Sequence, residues 1–212
     1  MTDTTKTRVA ATAADDHPDV LGLWGFALAA LFGNLPATGV LAEAGIFTSS
    51  LVVIGGFLQL VAGSRESRHG NSFGATSFTA FGFFWITLEL NQVLAAHGLI
   101  GASSHSAIGL YLLVWGLFAI MLNVGALRLS AALNITVALS WLGLLLRAAG
   151  ALVPDAAVDR LGAWAFVVCA VAAAYTAASQ FLMAQWSRPV LPVGGGHPDH
   201  FGRARRGNEN DR

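Results

Sequence analysis

The chain has 212 residues, of which 55% are hydrophobic and only 11% are charged, and its twelve basic and twelve acidic side chains cancel. An ordinary globular protein carries roughly a quarter charged residues, and its helices present charged faces to water. This composition excludes a soluble helical bundle and predicts an all-α integral membrane protein. The single Cys169 lies in an apolar run, which excludes a disulfide framework and a thiolate metal site.

Six apolar stretches are long enough to cross a bilayer, whose hydrocarbon core takes about 20 residues of helix. The breaks between them carry turn or charge signals, such as "GSRESRHG" before the third and "PDAAVDR" before the sixth. In chain order the predicted transmembrane helices are Val20–Leu41, Ala44–Ala62, Phe73–His97, Ala107–Leu127, Leu129–Leu152 and Leu161–Trp186. They form one six-helix domain over residues 20–187, between a disordered N-terminal tail (1–19) and a C-terminal tail (188–212).

The placement of Lys and Arg predicts the orientation of these helices. If both termini are cytoplasmic, ten of the twelve basic residues fall on the cytoplasmic side, and only Arg147 and Arg160 fall outside. Lys and Arg are enriched in cytoplasmic loops of membrane proteins. We therefore expect both tails to be cytoplasmic and the chain to be a multi-pass protein of the inner or plasma membrane.

Two features of the first helix concern its packing. Gly25, Ala29 and Gly33 recur at four-residue spacing, and such a stripe of small residues lets a neighbouring backbone approach closely. Pro36 removes a backbone donor that some polar group must replace. Asn34 could satisfy the backbone there, or it could offer its amide to a solute passing through the bundle.

Polar side chains occur in nearly every predicted helix. Lipid cannot hydrogen-bond to them, so they face the bundle interior or a water-filled cavity. Any one of them is explained by an interhelical hydrogen bond, whereas their distribution favours a polar pathway lined from several helices. The third helix alternates hydroxyls with phenyl rings in "GNSFGATSFTAFGFFW", and its candidate pathway residues are Thr76, Ser77, Thr79 and Phe81.

Glu89 is the one carboxylate deep in a predicted helix. A charge at that depth costs roughly 2.5–3.5 kcal/mol on insertion scales, so it should be neutralised, paired or hydrated. Two functional roles are open to Glu89: it could donate a hydrogen bond to a carboxylate substrate, or it could carry the proton in symport. The alternatives are a hydrogen bond to Asn or Gln on an adjacent helix and a position that meets water near the outer interface.

Several stretches together resemble the acetate uptake transporter family, that of the bacterial succinate–acetate permeases. They are "LGLWGFALA", "GNSFGATSFTAFGFFWITL", "LYLLVWGLFA" and "RPVLPVG", and their order and separation fit the family along about residues 17–194. The resemblance implies a six-helix protomer assembled into a homohexamer. Each protomer would hold its own pathway for small monocarboxylates such as acetate, and for succinate, as a proton symporter or a channel.

The resemblance also assigns residues to a constriction and a pathway. The family's narrow constriction uses an aromatic residue in the first helix, another in the third and a leucine in the fifth. Phe26 and Phe81 match the two aromatic positions, although the permeases have tyrosine at the second, and Leu139 or Ser140 matches the leucine. The resemblance adds Leu21, Gly22, Leu23 and Gln180 to the substrate pathway, the last where the permeases have glutamate, and the polar residues Asn34, Thr76, Ser77 and Thr79 complete the predicted set.

Two other functions stay open from the residues alone. A channel for a small neutral solute, such as urea or an amide, is favoured by the lack of a cationic residue among these pathway positions. A membrane-embedded structural or sensory subunit with a degenerate pore is the other. No constellation of catalytic residues, metal ligands or cofactor-binding residues is visible, so we expect no enzyme, no cofactor and no nucleic-acid partner.

Overall fold

The computed structural model describes residues 17–41 and 45–194, and within those ranges the chain is helical without strands. Most of both predicted tails therefore lies outside the described residues, as do residues 42–44 of the predicted break at 42–45. The helices are α1 (Pro18–Phe32), α2 (Leu35–Thr38), α3 (Gly45–Arg68), α4 (Ser72–Ala96), α5 (His105–Ala126), α6 (Ala131–Leu152) and α7 (Ala156–Trp186).

The first predicted helix, Val20–Leu41, is divided into α1 and α2 at Gly33 and Asn34. Pro36 lies in the first turn of α2, where its missing N–H is tolerated. The Asn34 side chain makes up for the interruption, because its Nδ2 donates to the carbonyl oxygen of Ala30 at 2.8 Å. Asn34 therefore satisfies the backbone at the break, as one of the two expectations for it required.

Two helices run past the ends predicted for them. α3 continues six residues beyond Ala62 to Arg68, through the stretch that was expected to be a loop. Its extra turn is held by buried Glu66, which accepts a hydrogen bond from Asn71 Nδ2 at 2.7 Å. α7 begins at Ala156, five residues before Leu161, because the carboxylate of Asp155 caps its first backbone N–H groups.

Among the described residues, α4, α5, α6 and α7 are long and apolar enough to cross a membrane. α1 is an apolar helix of 15 residues, shorter than a bilayer core requires by itself. The predicted all-helical fold is thus confirmed for the described residues, and four of these helices are candidate membrane spans.

Short connections make the long helices antiparallel to their sequence neighbours, which gives the bundle two distinct ends. Three residues join α3 to α4 and three join α6 to α7. The beginnings of α1, α4 and α6 therefore lie at the same end as the final turns of α3, α5 and α7. We call this the basic end, because among the described residues it holds Arg65, Arg68, Arg128 and Arg188; the opposite end holds Arg147 and Arg160.

Glycine contacts bring the helices close together. A Cβ atom added at Gly25 of α1 would lie 2.6 Å from the carbonyl oxygen of Gly55 in α3, so no side chain fits there. Gly143 of α6 and Gly162 of α7 approach each other in the same way. These pairs confirm that small residues allow close backbone approach in this bundle.

Aromatic rings fill the space between α4 and α5, which are farther apart than other neighbouring helices. Phe84 of α4 stacks on Tyr111 of α5 with a centroid separation of 5.7 Å and an interplanar angle of 12°. Phe81 of α4 lies 6.2 Å from Trp115 and 6.4 Å from Phe118, both on α5. The bundle wall on this side is consequently made of aromatic side chains.

Candidate functional site

A cavity of about 40 Å³ lies inside the bundle, between the basic end and its middle. This volume holds a few water molecules, since one water needs about 10–15 Å³ by the same measure. Five helices contribute to its wall, which is mostly apolar. The residues that line it are Leu23, Phe26, Gln59, Phe73, Ser77, Phe78, Phe81, Leu122, Leu133, Thr136, Val137 and Ser140.

Two phenyl rings close the cavity on the side of the opposite end. Phe26 and Phe81 meet edge to face, with ring centroids 5.4 Å apart and an interplanar angle of 81°. The ring centroid of Phe84 is 6.0 Å from that of Phe81, and the ring centroid of Trp85 is 6.3 Å from that of Phe26. Edge-to-face aromatic pairs with centroids about 4.5–7 Å apart are weakly favourable contacts. The structure thus places Phe26 and Phe81 in contact with each other at the wall of the cavity.

Polar groups of the cavity wall present mainly hydrogen-bond acceptors. Ser77 Oγ donates to the carbonyl oxygen four residues before it at 2.7 Å, and Thr136 does the same at 2.9 Å. Ser140 Oγ donates to a carbonyl oxygen three residues before it at 2.7 Å. The helix backbone takes up these hydroxyl protons, so the lone pairs of the three oxygens remain for a solute or water.

Gln59 of α3 is a polar residue of the cavity wall that was not among the predicted pathway residues. It is fully buried, its Nε2 donates to the carbonyl oxygen of Gly55 at 3.2 Å, and its Oε1 has no partner among the described residues. An unpartnered buried amide oxygen is costly unless a solute or water pairs with it. The signal was available in "GGFLQLVAG", where Gln59 is the only polar side chain.

Four further predicted residues differ in how close they lie to the cavity. Leu139 is half-buried among core side chains and does not line the cavity, whereas Ser140 does. Gly22 packs under the ring of Phe78, which itself lines the cavity. Leu21 lines a separate open cleft of about 780 Å³ between α1 and α7 at the basic end.

The remaining predicted residues of α4 and α7 lie outside the cavity wall. Thr76 is exposed on the surface of α4, and Thr79 is in contact with Gly63 of α3. Gln180 is half-buried in α7, and its Oε1 is buried without a partner among the described residues. The structure therefore brings together Leu23, Phe26, Ser77, Phe81 and Ser140, and it leaves Thr76, Thr79 and Gln180 apart from them.

Asn34 takes part in a buried polar network between the Phe26–Phe81 ring pair and the opposite end of the bundle. Its Oδ1 accepts a hydrogen bond from a terminal nitrogen of the Arg147 guanidinium at 2.7 Å. Arg147 Nε in turn donates to Asp159 Oδ1 at 3.0 Å, an ion pair between α6 and α7. In the predicted topology Arg147 is an outside charge, whereas the structure places it inside the bundle wall.

Glu89 lies at the same end of the bundle and is 8% exposed. Its carboxylate makes no hydrogen bond or ion pair with any described residue, so the alternative of an Asn or Gln partner on an adjacent helix is not met within the described ranges. A second pocket of about 240 Å³ opens nearby between α4 and α5, and its polar residues include Thr87, Asn91 and Tyr111. Thr87 Oγ1 and Tyr111 Oη are 2.9 Å apart there.

Comparison with known proteins relates this arrangement to transporters. The succinate-acetate/proton symporter SatP of Escherichia coli (strain K12) is 33% identical over 181 residues, which cover 85% of this chain and 96% of that protein. Acetate permease A of Emericella nidulans is 28% identical over 207 residues, covering 90% of this chain and 70% of the permease.

A solved structure, that of the bacterial acetate channel SatP, matches the fold with a TM-score of 0.81 and 33% identity, covering 84% of this chain and 99% of the SatP chain. The pattern that defines the GPR1/FUN34/yaaH family matches residues 4–194. Together with its apolar helices, these matches make this chain a membrane protein, and it belongs to the GPR1/FUN34/yaaH family.

Proposed function

We propose that this chain transports small carboxylates, acetate first and succinate as the larger candidate, through a pathway within each protomer. The observation that carries the proposal is the cavity closed by Phe26 and Phe81 and containing Gln59, in a fold that matches a bacterial acetate channel at a TM-score of 0.81. The names of the relatives indicate the substrate class. The cavity of about 40 Å³, which has room for a few water molecules, indicates where a solute as small as acetate would lie.

In this proposal the cavity wall replaces part of the water around the solute. Gln59 can turn its amide and present an N–H group to a carboxylate, and the hydroxyls of Ser77, Thr136 and Ser140 can donate to it once they release their hydrogen bonds to the helix backbone. The methyl group of acetate would lie against Phe26 and Phe81. Burying an unpaired carboxylate costs several kcal/mol, so these hydrogen bonds limit the barrier rather than create tight binding.

The orientation and number of membrane crossings belong to the same proposal. We propose six crossings, with α1 and α2 together forming the first and α3 the second. The tails at 1–19 and 188–212 would be cytoplasmic, because the basic end carries four arginines and the opposite end two among the described residues. The cavity then opens nearest to the cytoplasm, and the Arg147–Asp159 pair lies toward the outside.

We also propose a homohexamer. Exposed apolar side chains follow one face of α5 at helical spacing, including Leu110, Val114, Leu117, Met121 and Val124. Such a face suits lipid or another protomer, and the family resemblance favours the second. Native mass spectrometry of the protein in mild detergent should show a sixfold species. A monomer that persists at high protein concentration would contradict this assembly.

A neutral solute remains the second candidate function, because none of the described residues that line the cavity is cationic. Uptake of radiolabelled acetate and of acetamide into vesicles containing the purified protein separates the two. We expect acetate to enter faster than into protein-free vesicles and to outpace acetamide. Faster acetamide entry would favour the neutral-solute channel, and no entry of either would favour a structural or sensory subunit.

Proton coupling by Glu89 is the part of the proposal that a single substitution tests. Glu89→Gln keeps the shape and the hydrogen-bonding capacity of the side chain, but it cannot exchange a proton. If Glu89 carries the proton, the dependence of acetate uptake on external pH should flatten in this variant, while its yield and assembly stay normal. A pH dependence identical to that of the unmodified protein would remove Glu89 from the mechanism.

A further inference from the structure

Arg147 has more hydrogen-bond donors than its described neighbours use. A guanidinium group carries five N–H groups. Within residues 17–41 and 45–194, it gives one hydrogen bond to Asp159 Oδ1 at 3.0 Å and one to Asn34 Oδ1 at 2.7 Å. The side chain is 20% exposed, so the unused donors can reach solvent at the opposite end of the bundle.

Arg147 lies on the helix face that continues from the cavity. It follows Ser140 by seven residues, which is two helical turns or about 10 Å along α6. Asn34 follows Phe26 by eight residues on α1 and the break after it, again about two turns. The hydrogen bond between Asn34 and Arg147 therefore lies inside the bundle about two helical turns past the Phe26–Phe81 ring pair, toward the opposite end.

Contacts between α4, α6 and α7 place Glu89 at about the same depth in the bundle as Arg147. Gly162 of α7 packs against the side chain of Arg147, and Phe166, one turn further along α7, lies 5.7 Å from Trp85 of α4. Glu89 comes one turn after Trp85, in the direction of the opposite end. The charged groups facing this region from the described helices are therefore Arg147, Asp159 and Glu89, with the Arg160 guanidinium near Gly39 at the rim.

We infer that Arg147 forms a binding site for a small carboxylate at the entrance from the opposite end, with Asn34 and Asp159 as its positioning residues. This inference rests on the proposed function. The planar guanidinium fork matches the geometry of a carboxylate, and a cation at a mouth raises the local concentration of an anion that must then enter an uncharged cavity. Asp159 holds the group in place and offsets part of its charge.

A purely structural role makes a different prediction from an anion site. If the ion pair only ties the broken first helix to α6 and α7, then Arg147→Gln and Asp159→Asn should impair transport in the same direction. If Arg147 binds the substrate, the two variants should change the half-saturating acetate concentration in opposite directions. Removing Asp159 leaves the guanidinium charge uncompensated, which favours the anion, whereas removing Arg147 leaves an unpaired carboxylate that repels it.

The test is the concentration dependence of initial radiolabelled acetate uptake into vesicles, at constant pH and ionic strength, with protein-free vesicles subtracted. We expect Arg147→Gln to raise the half-saturating concentration by about tenfold and Arg147→Lys to raise it less, because lysine keeps the charge but loses the fork. Asp159→Asn should lower it by roughly threefold. Arg160→Gln is the matched control, a basic residue at the same end outside the network, and should stay within about twofold.

A rise in both Arg147→Gln and Asp159→Asn, or no change in either, would overturn the inference. Asp159→Asn decides alone if Arg147→Gln does not fold, since only an anion site predicts an improvement on breaking the ion pair. Failure of the proposed function gives a separate result: the unmodified protein would then show no uptake above protein-free vesicles, and the Arg147 site would fall with it.

Discussion

Phe81→Ala should let longer carboxylates through, increasing the uptake of propionate and butyrate relative to acetate by roughly tenfold. The phenyl ring of Phe81 closes the cavity against Phe26 at 5.4 Å and touches the rings of Phe84, Trp115 and Phe118. Its removal opens the narrow point by the volume of a benzene ring. Phe26→Ala should act in the same direction from α1.

Phe83→Ala is the matched control for the constriction, because Phe83 is on the same helix but 53% exposed on its outer face. Replacing a buried phenylalanine by alanine also costs about 3–5 kcal/mol of stability, so Phe81→Leu serves as a milder variant. Phe81→Tyr should shift selectivity without widening the pathway, since it adds only a hydroxyl. Unchanged rate and selectivity in both alanine variants would mean that these rings only fill the core.

Gly55→Leu should prevent α1 and α3 from packing and leave little folded protein. A Cβ atom at Gly55 would collide with the carbonyl oxygen of Gly25, and it would lie 2.9 Å from the backbone nitrogen of Ala29. Backbone cannot move aside as a flexible side chain can, so we expect a loss of about 3 kcal/mol. Thermal unfolding and elution by size-exclusion chromatography measure the effect.

Gly125→Leu is the control for Gly55→Leu. Gly125 lies exposed near the end of α5, and the nearest atom to an added Cβ is 3.4 Å away on the ring of Phe73. The same change in size and hydropathy should therefore leave the melting temperature within a few degrees. Equal damage from both substitutions would mean that the cost arises from the leucine and not from the close approach of α1 and α3.

Composition and the spacing of apolar residues predicted the helical fold, but they did not predict where every helix ends. Long apolar runs identified the helices because a bilayer core requires them, and the small-residue stripe at Gly25 predicted close packing. The extra turn of α3 was missed because Glu66 is charged in the sequence. Its hydrogen bond with Asn71 and its burial, which make the turn helical, depend on the folded chain.

The candidate site could be predicted only in part. Phe26, Phe81 and Ser140 were selected through the family resemblance, and the structure places them around one cavity. Gln59 was overlooked as one amide in an apolar helix, and its importance comes from an oxygen left without a partner. Arg147 and Asn34 are 113 residues apart, so no local pattern could pair them.

Acetate uptake by vesicles containing Gln59→Leu tests directly whether acetate passes through the cavity. The substitution roughly preserves side-chain size but removes the one amide among the described residues of the cavity wall. We expect the initial rate to fall by about tenfold, because the solute loses a hydrogen-bonding partner inside an apolar wall. Gln92→Leu, at an exposed position of α4, controls for the added hydropathy and should keep the original rate. Uptake by Gln59→Leu equal to that of the unmodified protein would show that acetate does not pass through this cavity.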